Sequence, residues 1–287
     1  MVPASVVSIF VLAACIGFLL LSARLFMKYS KLSRHSRFDL YPIPTEGGGR
    51  AAYGGSYLEE DEWWNKERTF DHASEIKYLI NEMIFIKKLR EGQPSLWLPS
   101  FLFHGGIYIL FAWSIMLIPA AFVPSAPVGV VMFVVGSVGF LFATAGSLAL
   151  LYRRISDPAF QANTTPIDYF NLMLILLVLT SGIYCWMTLA NPIAVAHGVL
   201  TLNLPPLPLE LTIHLVLLGA MLIYIPLSKM GHYAGKFFSF RKVLWDNDPN
   251  LPGSKVETGI RESAAEPART HWSAPHVRST STNEVED

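Results

Sequence analysis

No Asp, Glu, Lys or Arg occurs in residues 92–152, GQPSLWLPSFLFHGGIYILFAWSIMLIPAAFVPSAPVGVVMFVVGSVGFLFATAGSLALLY. A membrane-spanning helix needs about 20 apolar residues, so this stretch is long enough for two such helices. Pro119, Pro124 and Pro127 cluster where the first would end and the second would begin. Charged residues make up 15% of the chain, against about a quarter in soluble domains. The composition therefore excludes an ordinary soluble enzyme and predicts an integral membrane protein.

Three further stretches without charged residues, 2–23, 169–209 and 211–228, each predict one more span. The predicted fold is an all-α integral membrane protein, a five-transmembrane-helix bundle with spans at residues 5–26, 98–122, 127–151, 167–190 and 209–230. Before the fourth span, Thr165, Pro166 and Asp168 have the pattern of a helix start, with a hydroxyl cap, a first-turn proline and an acid. This pattern assigns Asp168 to capping rather than to catalysis.

The basic residues predict the orientation of the chain in the membrane. All 22 Lys and Arg lie in segments 24–90, 153–154 and 229–278, which one side of the membrane would receive. Because basic loops stay in the cytoplasm, we expect the N-terminus outside and the C-terminus in the cytoplasm, with the chain in the cytoplasmic (inner) membrane. Residues 12–15 match a lipoprotein cleavage box, but no basic residue precedes the apolar run, which favours an uncleaved first span.

The polar segments predict a division into four parts. Residues 1–26 hold the first span, and residues 27–97 form a cytoplasmic insert with an amphipathic helix over 73–91 on the membrane surface. Residues 98–242 form a four-helix core, and residues 243–287 form a polar, disordered cytoplasmic tail. The Tyr and Trp residues of the insert favour docking of a partner. Packing of the insert on the chain's own cytoplasmic face remains the alternative.

Charge balance and cysteine content exclude several classes of function. The 22 basic and 22 acidic residues create no field that would attract nucleic acid. Two cysteines, Cys15 and Cys185, are too few for a disulfide scaffold, a cysteine-ligated iron–sulfur cluster or a Cys-rich zinc site. The glycines at 47–49 lack a preceding strand and the Gly-Lys-Ser/Thr ending of a phosphate loop. The sequence therefore predicts that the chain contacts membrane lipid and does not bind nucleic acid.

Three of the eight histidines lie in or beside apolar spans, where ionisable side chains mark functional sites. His214 and His232 differ by 232 − 214 = 18 residues, which in one continuous helix is five turns and about 27 Å. His104 lies near the cytoplasmic end of the second span, at the depth of His232. Such a pair suits two axial ligands of one haem iron, and the absence of Cys-x-x-Cys-His predicts non-covalent haem b. Gly105 and Gly106 would let a flat macrocycle approach the backbone.

With these residues in view, the chain resembles the gamma-subunit family of membrane nitrate reductases over about residues 98–240. The resemblance is carried by residues 214–232 with Pro226 and Ser228, by 151–154 with 162–165, and by 102–104. It implies a five-span b-type cytochrome that passes electrons between membrane quinone and a cytoplasmic iron–sulfur subunit. It also implies that His104 and His232 hold the cytoplasm-side haem.

The sequence departs from this family at the outer side. The family's second haem pairs the counterpart of His214 with a histidine where this chain has Ser114, so we expect either one haem b or a different partner for His214. Met116 and Met187 are the candidates by depth. No lysine is available for an outer quinone pocket. The long insert is more similar to relatives that work with heterodisulfide-reductase-like iron–sulfur proteins, which implies such a cytoplasmic partner and an outer multihaem cytochrome c as an alternative electron carrier.

A second hypothesis keeps the fold without redox work. The chain would be a membrane anchor or transporter-like protein whose histidines form a polar network, and Ser114 is the best support for this alternative. Transporters usually contain internal repeats, and this sequence shows none. The presence or absence of haem distinguishes the two hypotheses.

Overall fold

The computed structural model describes residues 3–31, 43–46, 59–66, 70–240, 244–245 and 251–265. These residues form helices and no strand. The helices are α1 (Ala4–Ser30), α2 (His72–Met83), α3 (Lys87–Gly92), α4 (Pro94–Phe122), α5 (Ala126–Ser156), α6 (Pro158–Ala162), α7 (Pro166–Thr188), α8 (Pro192–Leu200), α9 (Leu209–Leu227), α10 (His232–Ser239) and α11 (Lys255–Ala265), with 3-10 turns at Trp63–Asn65 and Lys229–Gly231. Five of them, α1, α4, α5, α7 and α9, are long and apolar enough to cross a membrane. The predicted all-α fold with five spans is confirmed.

The chain divides into two compact units, Met1–Tyr29 with His72–Lys236, and Ser30–Asp71 with Phe237–Asp287. The first unit contains all five spans and the three histidines of interest. Much of the predicted insert and tail lies outside the described residues. Within the tail, for which the sequence predicts disorder, Lys255–Ala265 form a helix, and Glu257 and Arg261 make an i,i+4 ion pair at 2.7 Å on it.

Helices α4 and α5 touch at their backbones on both sides of His104. A Cβ atom added at Gly106 would lie 2.1 Å from the backbone N of Ala143, and one at Gly146 would lie 2.3 Å from the backbone N of Phe103. Small residues allow such close packing of membrane helices. Gly106 therefore serves helix packing, so the expectation that it faces a macrocycle is wrong. A Cβ at Gly105 would meet nothing within 4 Å.

The start of α7 has the predicted cap. The Asp168 carboxylate accepts hydrogen bonds from the Thr165 backbone N–H at 2.9 Å and from the Thr165 hydroxyl at 2.6 Å. Lys229 Nζ lies 3.2 Å from the other carboxylate oxygen of Asp168. The cap thereby ties the first turn of α7 to the segment that follows α9.

The fifth span ends earlier than the sequence predicts. Helix α9 stops at Leu227, one residue after Pro226, whose ring and missing N–H disrupt the last turn of the helix. Ser228 is extended, with φ −114° and ψ −178°, and its Oγ accepts a hydrogen bond from the Met230 N–H at 3.2 Å to start a 3-10 turn. His232 then begins α10. The expectation that one continuous helix carries both His214 and His232 is therefore wrong.

The predicted amphipathic helix over 73–91 is two helices, α2 and α3. Ile86 between them has a positive φ of 51°, a left-handed conformation that ends a helix. Backbone carbonyls at this break accept hydrogen bonds from three side chains of the first unit: Lys236 to Glu82 at 2.7 Å, Tyr108 to Met83 at 3.0 Å and Trp97 to Phe85 at 2.8 Å. These bonds fix the break against α4 and α10.

Candidate functional site

The rings of His104 and His232 lie close together. Their centroids lie 6.1 Å apart and their planes are inclined at 86°. His104 comes from α4 and is half-buried, while His232 is exposed at the first turn of α10. Metal–imidazole bonds of about 2 Å place two ring centres on opposite sides of one ion roughly 6 Å apart. The separation therefore suits two ligands of a single metal ion.

Both imidazoles are oriented by backbone carbonyls. His104 Nδ1 lies 2.7 Å from the carbonyl O of Ser100, and His232 Nδ1 lies 3.2 Å from the carbonyl O of Lys229. A carbonyl oxygen only accepts, so each Nδ1 carries a proton, and the neutral form of each ring then has its lone pair on Nε2. Metal-bound histidines generally donate their other N–H in this way. Both rings therefore have the Nδ1 hydrogen bond that is typical of a metal-bound histidine.

A cavity of 370 Å³ opens on these two rings, a size within the usual range of about 300–1,000 Å³ for ligand sites. Its wall combines apolar side chains of α4, α5 and α7 with charged and polar ones. The polar and charged lining residues besides the histidines are Ser100, Arg153, Arg154, Asp168, Asn171 and Lys229. Three cations against one carboxylate make this cavity attractive to an anionic ligand.

The two arginines retain hydrogen-bonding capacity. Arg153 Nη2 donates to Ser95 Oγ at 3.3 Å, and its guanidinium lies over the Phe160 ring at 5.4 Å. Its Nε is buried and has no hydrogen-bond partner among the described residues. Arg154 Nη1 donates to Thr164 Oγ1 at 3.1 Å. A guanidinium offers five N–H donors, so both side chains can bind carboxylate oxygens in addition.

The chemistry of the Ser100, Arg153 and Arg154 side chains did not identify these residues as part of a site from the sequence. Ser100 lies one helical turn before His104, where its carbonyl reaches the ring. Arg153 and Arg154 are the only Lys or Arg between positions 91 and 228. A cation pair at the end of a long uncharged run is the signal that could have found them.

Lys236 adds a positive charge beside the histidine pair. It lies one turn after His232 and donates to the carbonyl O of Glu82 at 2.7 Å. Burial lowers the pKa of the Lys236 ammonium, with the Lys88 charge acting in the same direction and the Glu82 carboxylate opposing both. This lysine connects α10 to the break between α2 and α3.

His214 occupies a separate cavity of 470 Å³ in the first unit. Its Nδ1 lies 3.0 Å from Ser181 Oγ, and Ser114 lines the same cavity. Met116 and Met187 do not line it, and they are 37% and 69% exposed. The structure therefore brings Ser114, and neither of the two methionines proposed from their depth, to the cavity of His214.

The described residues contain no group of three or more His, Cys, Asp or Glu side chains that could hold a metal ion. Two imidazoles alone do not complete a usual protein metal site. They do complete a haem iron, because the macrocycle supplies the other four nitrogen ligands. The donor set of the first cavity therefore fits haem better than a bare ion.

Comparison with known proteins identifies the family. No curated protein and no solved structure matches the chain significantly. The family model described as nitrate reductase gamma subunit matches residues 89–242, which is more than half of the chain. The matched region includes His104, His214 and His232 and the four helices α4, α5, α7 and α9. This multi-pass membrane protein therefore belongs to the nitrate reductase gamma subunit family, whose members are b-type cytochrome subunits of multisubunit respiratory complexes.

Proposed function

We propose that this chain passes electrons through haem b between a membrane quinone pool, or an outer cytochrome c, and a cytoplasmic iron–sulfur partner. The observation that carries the proposal is the pair His104 and His232, whose rings lie 6.1 Å apart with both Nδ1 atoms directed at carbonyl oxygens. This pair lies within the region matched by the family model. Haem b when bound supplies reversible one-electron chemistry at its iron.

The residues of the first cavity suit each part of that cofactor. His104 and His232 would hold the iron through Nε2. Arg153, Arg154 and Lys229 would hold the two propionate carboxylates by charge-assisted hydrogen bonds. The three cationic side chains would thus balance the negative charge of the propionates, while the two histidines would hold the iron.

The surrounding residues set the properties of the two ligands. The carbonyls of Ser100 and Lys229 keep each ring in the tautomer that presents Nε2, and such bonds raise the basicity of a ligand imidazole. Phe103, Leu172 and Ile175 form an apolar part of the wall. Low polarity and hydrogen bonding at the ligands are among the factors that set a haem potential.

We place the cavity at the cytoplasmic side of the inner membrane. Arg153, Arg154 and Lys229 lie at the ends of α5 and α9, and basic residues remain on the cytoplasmic side. An electron leaving this cavity would then reach a cytoplasmic iron–sulfur protein, for which we propose a heterodisulfide-reductase-like subunit. The described part of the insert exposes Trp64 beside Trp63, with ring centroids 5.9 Å apart, and aromatic side chains are common at protein interfaces.

The test is the haem content of the purified chain, measured by pyridine haemochrome with a dithionite-reduced spectrum. We expect one haem b per chain. A chain that binds no haem, even after haem is supplied, would contradict the proposal. That result would support the second candidate, a non-redox membrane anchor, which the position of Ser114 in the His214 cavity favours.

A further inference from the structure

Helix α2 buries two carboxylates and exposes a row of isoleucines. Glu75 and Glu82 are only 3% and 2% exposed. Ile76 and Ile80 on the same helix, and Ile84 directly after it, stand at intervals of four residues and are 56%, 45% and 43% exposed. A helix at the surface of a soluble protein normally turns its apolar residues to the core and its charged residues to water. The outward row of isoleucines therefore suits apolar surroundings.

The arginines at the end of α5 give the level of the membrane surface along α4. Arg153 and Arg154 end the uncharged run of their span, and basic side chains mark where a span leaves the membrane. Arg153 Nη2 donates to Ser95 Oγ at 3.3 Å, so Ser95 lies at this level. Phe101 (101 − 95 = 6 residues) and Tyr108 (108 − 95 = 13 residues) lie about 9 Å and about 20 Å further along α4.

The break between α2 and α3 contacts α4 at both of these positions. The Phe85 ring stacks on the Phe101 ring with centroids 6.3 Å apart, and the carbonyl O of Met83 accepts a hydrogen bond from the Tyr108 hydroxyl at 3.0 Å. Helical side chains point back toward the N-terminus of their helix, so both contacts lie somewhat nearer to Ser95 than the two α4 backbone positions do. The break therefore lies about one to two helical turns inside the membrane surface.

Backbone groups at this break have partners within the protein. Side chains of α4 and α10 donate to three carbonyls there, those of Glu82, Met83 and Phe85. The buried Glu82 carboxylate in turn accepts the Lys88 N–H at 3.0 Å, one of the donors that the first turn of α3 leaves open. At a watery surface such groups can bond to solvent, whereas in hydrocarbon they need protein partners. The observed bonds are those that a break inside the membrane requires.

The outward row of α2 continues onto the lipid-facing side of α4. Phe85, which follows Ile84, stacks on Phe101, and Phe101 stacks on Trp97 with ring centroids 5.3 Å apart. Leu98, the neighbour of Trp97 in sequence, is exposed on a helix that is long and apolar enough to cross a membrane. One apolar surface thus runs from the span to α2, which identifies lipid as the occupant of the outward row.

We propose that residues 72–92 form a re-entrant hairpin. Helix α2 enters the leaflet at the basic side of the bundle, the chain turns at Ile86, and α3 leads back to the surface, with the row of isoleucines against lipid acyl chains. The exposed lysines Lys77 and Lys87 have stems long enough to reach the headgroups. The family model matches from residue 89 onward, so α2 precedes the matched region. The hairpin goes beyond the proposed electron transfer and does not depend on haem.

The experiment measures how fast single cysteines on the hairpin react with a membrane-impermeant, sulfonated maleimide. It uses the full chain in nanodiscs of phosphatidylcholine and phosphatidylglycerol, with Cys15→Ala and Cys185→Ala as the background. Ile76→Cys, Ile80→Cys and Ile84→Cys report three positions of similar exposure at increasing depth. We expect Ile84→Cys to react at least tenfold more slowly than Ile76→Cys, with Ile80→Cys between them. Mass spectrometry of the intact chain follows the alkylation.

Two further cysteines calibrate the rates. Phe111→Cys, at an exposed position within α4, should react slowest, and Arg261→Cys on α11, whose side chain is 77% exposed, should react fastest. A second measurement uses the unaltered chain and an aryl diazirine that dissolves in the bilayer, with the adducts mapped by mass spectrometry after photolysis. We expect adducts on residues 80–85 as well as on α4.

One variant tests what holds the hairpin in the leaflet. Tyr108→Phe removes the donor to Met83 and should increase the alkylation rate of Ile84→Cys several-fold, because an unpaired carbonyl is costly in hydrocarbon. Tyr152→Phe removes the same hydroxyl from α5 and should leave the rate unchanged. An unaltered rate of Phe111→Cys in both backgrounds shows that the bundle is intact. If Tyr108→Phe has no effect on Ile84→Cys, this hydrogen bond does not hold the hairpin.

Three results would overturn the inference. Equal, fast alkylation along the row of isoleucines would place α2 in water and leave that row for a protein partner. Equal, slow alkylation would place α2 flat on the membrane surface or beneath another part of the chain. Absence of diazirine adducts from residues 80–85 would exclude acyl chains as the occupant. Neither measurement uses haem content, so each of these results rejects the hairpin and leaves the proposed electron transfer standing.

Discussion

Lys229 Nζ lies 3.2 Å from Asp168 Oδ1 and joins the segment after α9 to the capped start of α7. The carbonyl of this same lysine orients His232. The contact therefore connects a helix cap in one span to a candidate haem ligand that follows another. It also explains why a capping residue lines the first cavity without serving in its chemistry.

The cap and the ion pair contribute unequally to stability. Thr165→Ala should destabilise the fold by about 1 kcal/mol, the usual cost of losing a helix N-cap, and leaves the Asp168 carboxylate in place. Lys229→Met should cost less, because the lysine side chain is 59% exposed and exposed ion pairs are worth about 0–1 kcal/mol. Thermal unfolding followed by helical circular dichroism measures both. A larger loss for Lys229→Met would contradict this order.

Removing either ligand of the first cavity should remove its haem. We expect His104→Ala and His232→Ala each to lose the bound haem b, because one imidazole cannot replace two axial ligands. His214→Ala should keep the haem, since His214 lies in the other cavity. Pyridine haemochrome per chain gives the answer, with His197→Ala as the matched control. Loss of all haem in His214→Ala, at normal chain abundance, is the outcome that refutes the pairing.

Charge at the first cavity should govern retention of the cofactor. Arg153→Met or Arg154→Met should weaken haem binding by roughly tenfold or more, because a hydrogen bond to a charged group is worth about 1.5–3 kcal/mol. Arg90→Met is the matched control, since Arg90 lies over the Trp97 ring at 5.1 Å and does not line the cavity. Transfer of haem to excess apomyoglobin measures retention. Equal transfer from all three variants would remove the proposed role of the arginines.

The backbone contact between α4 and α5 should tolerate no added carbon. Gly106→Ala should destabilise the bundle by about 1–3 kcal/mol, the range for overpacking, because the added Cβ would lie 2.1 Å from a backbone nitrogen. Gly105→Ala adds the same group where nothing lies within 4 Å, and helical propensity favours alanine there. Thermal unfolding of the two variants without haem compares them directly. If Gly106→Ala and Gly105→Ala have the same thermal stability, the packing interpretation is wrong.

The proposed orientation can be tested independently of the cofactor. A fluorescent protein that matures only in the cytoplasm, fused after Asp287, should fluoresce, and the same protein fused before Met1 should not. Alkaline phosphatase, which is active only outside, should give the opposite pattern. Fluorescence from the N-terminal fusion would reverse the proposed placement of the first cavity.

The sequence predicted those features that depend on local composition. Runs without charge predicted five spans because lipid excludes charged side chains, and Thr165, Pro166 and Asp168 predicted a cap that the structure contains. The resemblance included a Pro-x-Ser-basic turn at Pro226 and Ser228, but the spacing of His214 and His232 was counted as one continuous helix, which the break at Ser228 contradicts. The role of Gly106 was missed for another reason, since only the packed structure places Ala143 against it.

The candidate site was predicted in part. Depth along the predicted spans selected His104 and His232, and the structure places their rings together, although their role as haem ligands stays a prediction. The cations of the first cavity come from α5 and the turn after α9, so their convergence on the histidines depends on tertiary packing. The same applies to Ser181, whose contact with His214 joins residues 33 positions apart.

The break at Ser228 has a consequence for how this chain tolerates change in length. Within a continuous helix, one inserted residue turns everything beyond it by about 100°. Here the extended Ser228 separates α9 from α10. The His232 ring contacts the carbonyl of Lys229, whose side chain pairs with Asp168, and Lys236 on the same helix as His232 bonds the carbonyl of Glu82. These contacts, rather than the axis of α9, orient His232. An insertion within α9 would therefore be expected to turn His214 without turning His232 by the same angle.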